Sequence, residues 1–577
     1  MIVFALAIGL VMSAARLAAV WQTGTFFDTD DAMRLVEVRN WLAGQGWFDL
    51  NVPQLDPPRG VFLHWSRIVD LPLAGAIAFF RQFMPLDIAE RATRILFPLA
   101  LQAALYLGMA RLARLIIGPR AVLPIVLLTL MSGMVYGQFQ PGRIDHHAPQ
   151  IVILVFMIGA AIEALDPRRA KRAALAGALA ALSLAISLET LPFIAVLSVG
   201  LVVAWIARGA PLRLMLIAFA CGLGLALPAF YLATIGPSRW GIAACDALST
   251  PYLAEGCAGA AACGLLGLLT PRLARGSARA LAALAFGSLV PIAALCIAPA
   301  CISDPFAGLD PLLREIWLQN VYEAWSLWHY WHQEPGAAAC FCLPLVASLI
   351  AAAVAICRTQ GLARDRWLFA TTMMLIGTAM SFWMIRVLTF VGPLALLSGA
   401  WAVAAARPAL ERRGMTLLAR FALLFLLPFT PTFWALILPP DRADAAADKA
   451  NAACLAPAAF APLRSLPPGL VLAPIDAGSH LIIATPDKVL AAPYHRNNHG
   501  NRLALDTFMA APDEAHAMAM EARITYVATC PGLTETEALA KRAPQSLAAA
   551  LLANHPPLWL RPIEIANTPY RIFSVAP

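Results

Sequence analysis

Charge is what this sequence has least of. Only 13% of its 577 residues are Asp, Glu, Lys or Arg, while 60% are hydrophobic; soluble domains carry about 25% charged residues. A chain so poor in charge cannot cover itself with polar surface. That excludes an ordinary water-soluble protein and places the chain in a lipid bilayer, in keeping with a mean hydropathy of +0.71. No internal repeat is visible, so the chain is not an array of repeated units. The first apolar run, Ile2 to Val20, has no basic segment ahead of it. It lacks the pattern of a cleaved signal peptide and reads as a retained anchor. The net charge of +8 does not imply a nucleic-acid partner. The basic residues stand in short loops between apolar runs, as the positive-inside rule expects.

Apolar runs able to span occur near 2–21, 95–113, 121–138, 149–165, 173–188, 191–207, 214–232, 259–270, 280–300, 339–357, 367–384, 386–405 and 415–438. The run 71–84 is short, contains Arg81, and reads as interfacial or re-entrant. With that choice Arg111, Arg114, Arg120, Arg168, Arg169, Lys171, Arg172, Arg208, Arg213, Arg272, Arg275, Arg279, Arg358, Arg364, Arg366, Arg407, Arg412 and Arg413 share one side, which is then cytoplasmic. The other side receives the loops 22–94, 137–148, 233–258 and 301–338 and the tail beyond about residue 441. The expectation is a multi-span α-helical membrane domain over 1–440, with about thirteen transmembrane helices, and a small extracytoplasmic α/β domain over 441–577. A polar linker begins at Pro439–Pro440–Asp441, and strands such as 470–475 and 524–528 alternate with helical stretches around 514–522 and 535–553.

Acidic residues are scarce, so their positions are informative. Asp28, Asp30 and Asp31 stand in Phe-Phe-Asp-Thr-Asp-Asp-Ala-Met-Arg, just outside the first span. Asp145, His146 and His147 stand in Gly-Arg-Ile-Asp-His-His, outside another, and Glu323 lies in a third external loop. Taken singly these groups also suit solvated turns, and Asp30 or Asp31 suits a cap for a helix beginning at Ala32. Their common membrane face favours one site. Carboxylates with imidazole suit Mg2+ or Mn2+, and such a cation can offset the charge of a phosphate leaving group.

These motifs resemble those of the GT-C class of polyprenyl-linked glycosyltransferases, in particular the catalytic subunit of oligosaccharyltransferase. The resemblance runs along the whole chain. It implies that Thr-Asp-Asp-Ala-Met-Arg carries a catalytic aspartate at Asp31, and that Asp145 and His147 join it as metal ligands. It implies that Val-Tyr-Glu-Ala places Glu323 near the metal and the acceptor. In Met-Ile-Arg-Val-Leu, Arg386 would face the lipid phosphate; guanidinium suits that role, and an arginine at membrane depth is costly unless it faces a polar cavity. In the tail, Ala-Pro-Ile-Asp-Ala-Gly stands where the family has Trp-Trp-Asp-Tyr-Gly. Asp476 and Gly478 match and the tryptophan pair that reads an Asn-X-Ser/Thr acceptor does not. Tyr494, His495 and Arg496 form a nearby polar group, either an acceptor contact or a structural turn.

The cysteines divide by environment. Cys221, Cys340, Cys342 and Cys357 fall in apolar runs and read as small core residues. Cys454 and Cys530 lie in the tail, and Cys245, Cys257 and Cys301 in external loops, where an oxidising compartment permits disulfides. Cys454–Cys530 and Cys245–Cys301 are the expected pairs. The combined reading is a metal-dependent, inverting glycosyltransferase of the bacterial inner membrane, with active loops and tail in the periplasm. It takes a sugar or oligosaccharide from a polyprenyl phosphate or pyrophosphate to a glycan, lipid or protein hydroxyl. A lipid-linked sugar transporter or flippase would also explain the spans and Arg386. It would not explain carboxylates gathered at one face, since transporter sites lie near the midplane between repeated halves.

Overall fold

The computed structural model describes residues 1–303, 306, 308–415, 422–438 and 445–577. Long apolar helices form a bundle, and a five-stranded sheet packs against the segments that join them. Among the described residues, eight helices are long and apolar enough to cross a membrane: Leu86–Ile116, His147–Ala164, Leu188–Arg208, Ala210–Thr234, Thr250–Arg272, Gly276–Ile297, Pro335–Cys357 and Ile385–Arg412. The chain is a multi-pass membrane protein. Two bent pairs, Ile2–Met12 with Ala14–Thr23 (69°) and Pro119–Met131 with Gly133–Phe139 (67°), bring the number to ten if each crosses once.

The larger expected count differs for local reasons. Helix Arg172–Ile186 has only 15 residues, and Gly361–Met380 begins among Arg364, Asp365 and Arg366. The expected span 415–438 runs through residues 416–421, which lie outside the described ones, and is broken between Ala422–Phe429 and Pro431–Ile437. The two bends brace each other. The Ser13 hydroxyl, at the first break, lies 2.7 Å from that of Tyr136, which donates to the Gly9 carbonyl at 2.6 Å. Gly9 eases this approach, because a Cβ there would stand 3.1 Å from the tyrosine oxygen and press it outward.

After the first helix pair come helix Thr29–Leu42, the antiparallel strands β1 (Asn51–Val52) and β2 (Val61–Phe62), and helix Arg67–Phe80. The run 71–84 falls largely in this last helix, whose 14 residues are too few to span. The tail sheet comprises β3 (Leu470–Leu472), β4 (Lys488–Val489), β5 (Tyr526–Thr529), β6 (Leu560–Ile563) and β7 (Arg571–Val575) in the order β4-β3-β5-β7-β6. β3 runs parallel to β4 and β5, and β7 antiparallel to β5 and β6. All three residues of β3 are buried, as expected of a parallel strand covered on both faces.

The tail is bonded into the loop 22–94. Leu55 bridges to Val489, the Asp56 N–H donates to the Val489 carbonyl at 2.9 Å, and the Val489 N–H donates to that of Gln54 at 2.9 Å. One apolar core runs from Ala32–Ile77 into the tail residues Val471, Leu481, Tyr494 and Ile572. Cys454 and Cys530 are bonded, with Cα atoms 6.0 Å apart, and so are Cys245 and Cys301, at 4.9 Å. The expected domain boundary at 440/441 lies outside the described residues.

Candidate active site

Helix Thr29–Leu42 begins earlier than the acidic run alone suggests, and its cap is Asp28. The Asp28 carboxylate accepts from the N–H groups of Asp30 (3.0 Å) and Asp31 (3.1 Å), the usual work of an N-cap aspartate. Asp31 is thereby released from capping. It is fully buried, and its Oδ1 accepts from the N–H groups of Ile144 (2.6 Å) and Asp145 (3.1 Å). Its Oδ2 is buried with no hydrogen-bond partner. Arg143 fills the centre of this acidic group. It pairs with Asp28 and stands 3.7 Å from Asp31 and 3.4 Å from Asp145.

Asp145 pairs with both following histidines, with its Oδ1 2.5 Å from His146 Nδ1. The two rings stack at 4.5 Å between centroids. Their other nitrogens face Glu189, at 3.5 Å from His146 Nε2 and 3.3 Å from His147 Nε2. Arg386 donates to Glu189 at 2.8 Å and pairs with Glu323. The structure therefore joins Asp31, Asp145, His147, Arg386 and Glu323 in one continuous polar chain, built from five separated segments. Asp145, His146 and His147 offer three ligand atoms within 4.8 Å of one another.

Burial among like charges governs the acids outside the spans. Burial, then Asp28, pushes the Asp31 carboxyl well above the carboxylate range. Burial and Asp28 bring Asp30 up to about 7. Burial also acts on Asp145, but His146 and His147 overcome it and hold that carboxyl well below its ordinary value. Arg386 lowers Glu323. These are the environments that separate a proton-holding acid from a permanent carboxylate.

Glu189 and Arg143 are the components that motif reading passed over. Glu189 had a signal. It stands in the short turn between the apolar runs 173–188 and 191–207, on the same face as the other acids. In the tail, the Tyr494 hydroxyl donates to the Thr29 carbonyl at 3.0 Å and lies 2.9 Å from Ser479, tying the sheet domain to the aspartate loop. His495 and Arg496 turn instead to Asp246. Asp476 is exposed at the turn Ile475–Ala477. Gly478 is confined, because any side chain there would collide with the Ala491 carbonyl.

No protein-family model matches the chain, and no curated protein matches it in sequence. Solved structures do. The archaeal oligosaccharyltransferase AglB from Archaeoglobus fulgidus, in complex with an inhibitory peptide and a dolichol-phosphate, is 14% identical, with a TM-score of 0.65 over 98% of this chain and 74% of that one. The A. fulgidus oligosaccharyltransferase in complex with Zn and sulfate is 15% identical, with a TM-score of 0.65 over 100% and 72%. The same enzyme tethered by a disulfide to an acceptor peptide containing the NVT sequon is 14% identical, with a TM-score of 0.64 over 98% and 74%. Over nearly its whole length, this chain shares the fold of these archaeal oligosaccharyltransferase structures.

Proposed function

We propose that the chain is a membrane glycosyltransferase that moves a sugar or oligosaccharide, with inversion, from a polyprenyl phosphate or pyrophosphate to an envelope acceptor. The observation that carries this reading is the polar chain from Asp31 to Arg386. It links a buried carboxylate without a partner for one oxygen, by way of Asp145, His147 and Glu189, to a guanidinium at the head of a span. A phosphoryl leaving group and an attacking hydroxyl need those two functions within one site. The archaeal relative's dolichol-phosphate and its peptide fit the same division into donor and acceptor.

A divalent cation fits the residues present. Asp31 Oδ2, His147 Nε2 and Glu189 Oε2 are all buried without hydrogen-bond partners, and carboxylate with imidazole suits Mn2+, or Mg2+ where oxygen dominates. Asp31, Asp145 and His147 would hold it, with Glu189 beside them. When bound, it supplies positive charge against the phosphate leaving group. Asp31 orients the acceptor hydroxyl and takes its proton, Arg386 binds the donor phosphate, and Glu323 holds Arg386 in place from the loop side. Attack from the face opposite the departing phosphate inverts the sugar carbon. A cavity of about 840 Å3 opens next to this pair. Trp325, Trp383, His329, Gln319 and Asn320 line it, a mixture of flat apolar faces and amide groups that suits a saccharide. By the positive-inside rule the site and the tail face the bacterial periplasm, and the short and broken helices are consistent with thirteen crossings.

The acceptor is a hydroxyl of a glycan, a lipid or a protein. Reading a sequon requires side-chain donors for its Ser/Thr hydroxyl. Pro474 and Ile475 have none, and Pro474 also lacks a backbone N–H. The test is transfer of labelled saccharide from lipid-linked saccharides extracted from host membranes, by full-length protein in detergent, with host envelope fractions as acceptors. Asn-Ala-Thr and Gln-Ala-Thr peptides run alongside. The expected result is label in an envelope fraction, loss with EDTA, recovery with Mn2+ or Mg2+, and no labelling of either peptide. Transfer indifferent to EDTA would overturn the metal role, and labelling of the asparagine peptide alone would overturn the acceptor reading.

A further inference from the structure

A second group of metal-type ligands lies outside the catalytic chain. His64 follows β2, Asp246 follows the disulfide-bonded Cys245, and His495 lies in the tail beyond β4. These positions are hundreds of residues apart, yet one ligand atom from each falls within 4.8 Å of the other two. His495 Nε2 lies 2.6 Å from Asp246 Oδ2, and His64 Nδ1 lies 3.9 Å from the same oxygen. The two imidazoles face each other at 5.0 Å between centroids. His64 Nδ1 is buried and has no hydrogen-bond partner.

Beside them Arg496 grips Asp246 with two bonds, Nε to Oδ2 at 2.7 Å and Nη2 to Oδ1 at 2.6 Å. It also donates to the Phe62 carbonyl. An outer hydrogen bond of this kind fixes the direction of a ligating carboxylate, and each carboxylate oxygen keeps a second lone pair for another partner. Phe306 closes over the His495 ring edge-on at 5.4 Å. Two imidazoles and one carboxylate, leaving a fourth position open, form a zinc-type donor set. Zinc binds such donors at about 2.0–2.2 Å, so closure asks for side-chain shifts of about an ångström from the spacing present.

We propose that His64, Asp246 and His495 bind a zinc-class cation distinct from the catalytic one, which clips the first external loop, the 233–258 loop and the tail together. The site has a direct path to the catalytic centre, because Trp65, next to His64, packs edge-on against Tyr494 and lies 6.4 Å from the His146 ring. The clip fixes the tail over the aspartate loop, and it does not depend on the glycosyltransferase reading.

The test is zinc stoichiometry and thermal unfolding of the full-length protein in detergent, stripped with chelator and titrated with Zn2+. His64→Ala is the informative variant, because it leaves the Arg496–Asp246 and His495–Asp246 contacts in place and so spares the fold. His147→Ala reports on the catalytic centre separately. The expected outcome is that His64→Ala binds one zinc fewer than the wild type and loses most of the zinc-dependent rise in Tm. His147→Ala keeps that rise, and the double variant binds fewer ions than either single one. If His64→Ala matches the wild type in both stoichiometry and Tm shift, the proposed site does not exist. Loss of zinc by His147→Ala alone would likewise place all binding at the catalytic centre and overturn the proposal.

Discussion

Two buried charge clusters lie close together on helix Thr29–Leu42, and they are built on opposite principles. In one, Arg34, Glu37, Arg67 and Asp70 are all almost completely shielded from solvent. Arg34 and Arg67 each donate to Asp70 at 3.0 Å, Arg67 also donates to the Glu37 and Asp49 carbonyls, and the Trp65 ring faces Arg34 at 4.5 Å. Two guanidiniums match two carboxylates in formal charge, although both Glu37 carboxylate oxygens and Arg34 Nε and Nη2 have no hydrogen-bond partner. In the other, Asp28, Asp30, Asp31, Asp145, Glu189 and Glu323 surround Arg143 and Arg386, with Arg16 approaching from the first helix pair. Six carboxyl groups there stand against three guanidiniums. A balanced buried cluster is architecture; an unbalanced one leaves room for a cation and a substrate.

Removing an acid should therefore have opposite consequences in the two places. Asp31→Asn keeps the shape of the side chain and removes its charge. Transfer should fall at least about a hundredfold, the usual scale for a lost general base, while Tm holds or rises because the cluster has less negative charge to confine. Near-normal transfer by purified Asp31→Asn protein would falsify the role assigned to it. Asp70→Ala should do the reverse. It leaves two buried guanidiniums facing Glu37 alone, and breaking such a pair costs about 3–5 kcal/mol. Tm should drop sharply, while the surviving folded fraction transfers at near-normal specific rate. Comparing rate with Tm for both variants decides the matter; if the two move together in both, the distinction between the clusters is wrong.

Much of the unbalanced cluster was legible because its parts are local motifs with a parity constraint. Asp31, Asp145, His147, Glu323 and Arg386 each sit beside the end of an apolar run, and the arginine-rich loops fix which ends share a face. The partners that complete them were harder to see. Glu189 meets Arg386 across 197 residues, and only helix packing brings them together. Arg143 reads in sequence as one more loop arginine. The tail's α/β character was visible in its alternating strands, but its fusion to the first loop through Leu55 and Val489 is a pairing that no local pattern announces. The count of about thirteen crossings is not confirmed: among the described residues eight helices pass on length and composition, or ten with the pairs bent at Ser13 and Ser132, and the runs 173–188, 367–384 and 415–438 give short, charged or broken helices.

The tail offers an intermediate test of how much of its stability is its own. The Cys454–Cys530 bond closes a loop of 76 residues, and a cross-link of this kind stabilises by about 2–4 kcal/mol. Cys454→Ser with Cys530→Ser should lower the unfolding temperature of the tail, read by protease accessibility, and leave the bundle helices protected. Equal loss of protection in both parts would show that the shared core with Ala32–Ile77 makes tail and bundle a single unfolding unit.

The smallest effect concerns a third pair of acids, Asp476 and Glu535, which has neither a balancing guanidinium nor a cation-type ligand set among the described residues. Glu535 accepts from the Ile475 N–H at 2.8 Å, which favours its charged form. Burial outweighs that bond and, with Asp476 nearby, raises its carboxyl from an ordinary 4.5 up to about 8. The folded state then holds a proton that the unfolded chain releases, throughout the interval between those two values. Stability rises with pH only where the unfolded state binds more protons; here the native state binds more. This carboxyl's contribution is therefore fully present below about pH 4.5, declines as pH rises towards 8, and is flat beyond. Glu535→Gln has no proton to lose and keeps an acceptor oxygen for Ile475. Its Tm, measured beside the wild type from pH 5 to 8.5, should match or trail at the acid end and overtake at the alkaline end. A wild-type-like slope in the glutamine variant would mean that Glu535 is already ionised in the fold, and that an unbalanced carboxyl pair can be tolerated here without either a proton or a cation.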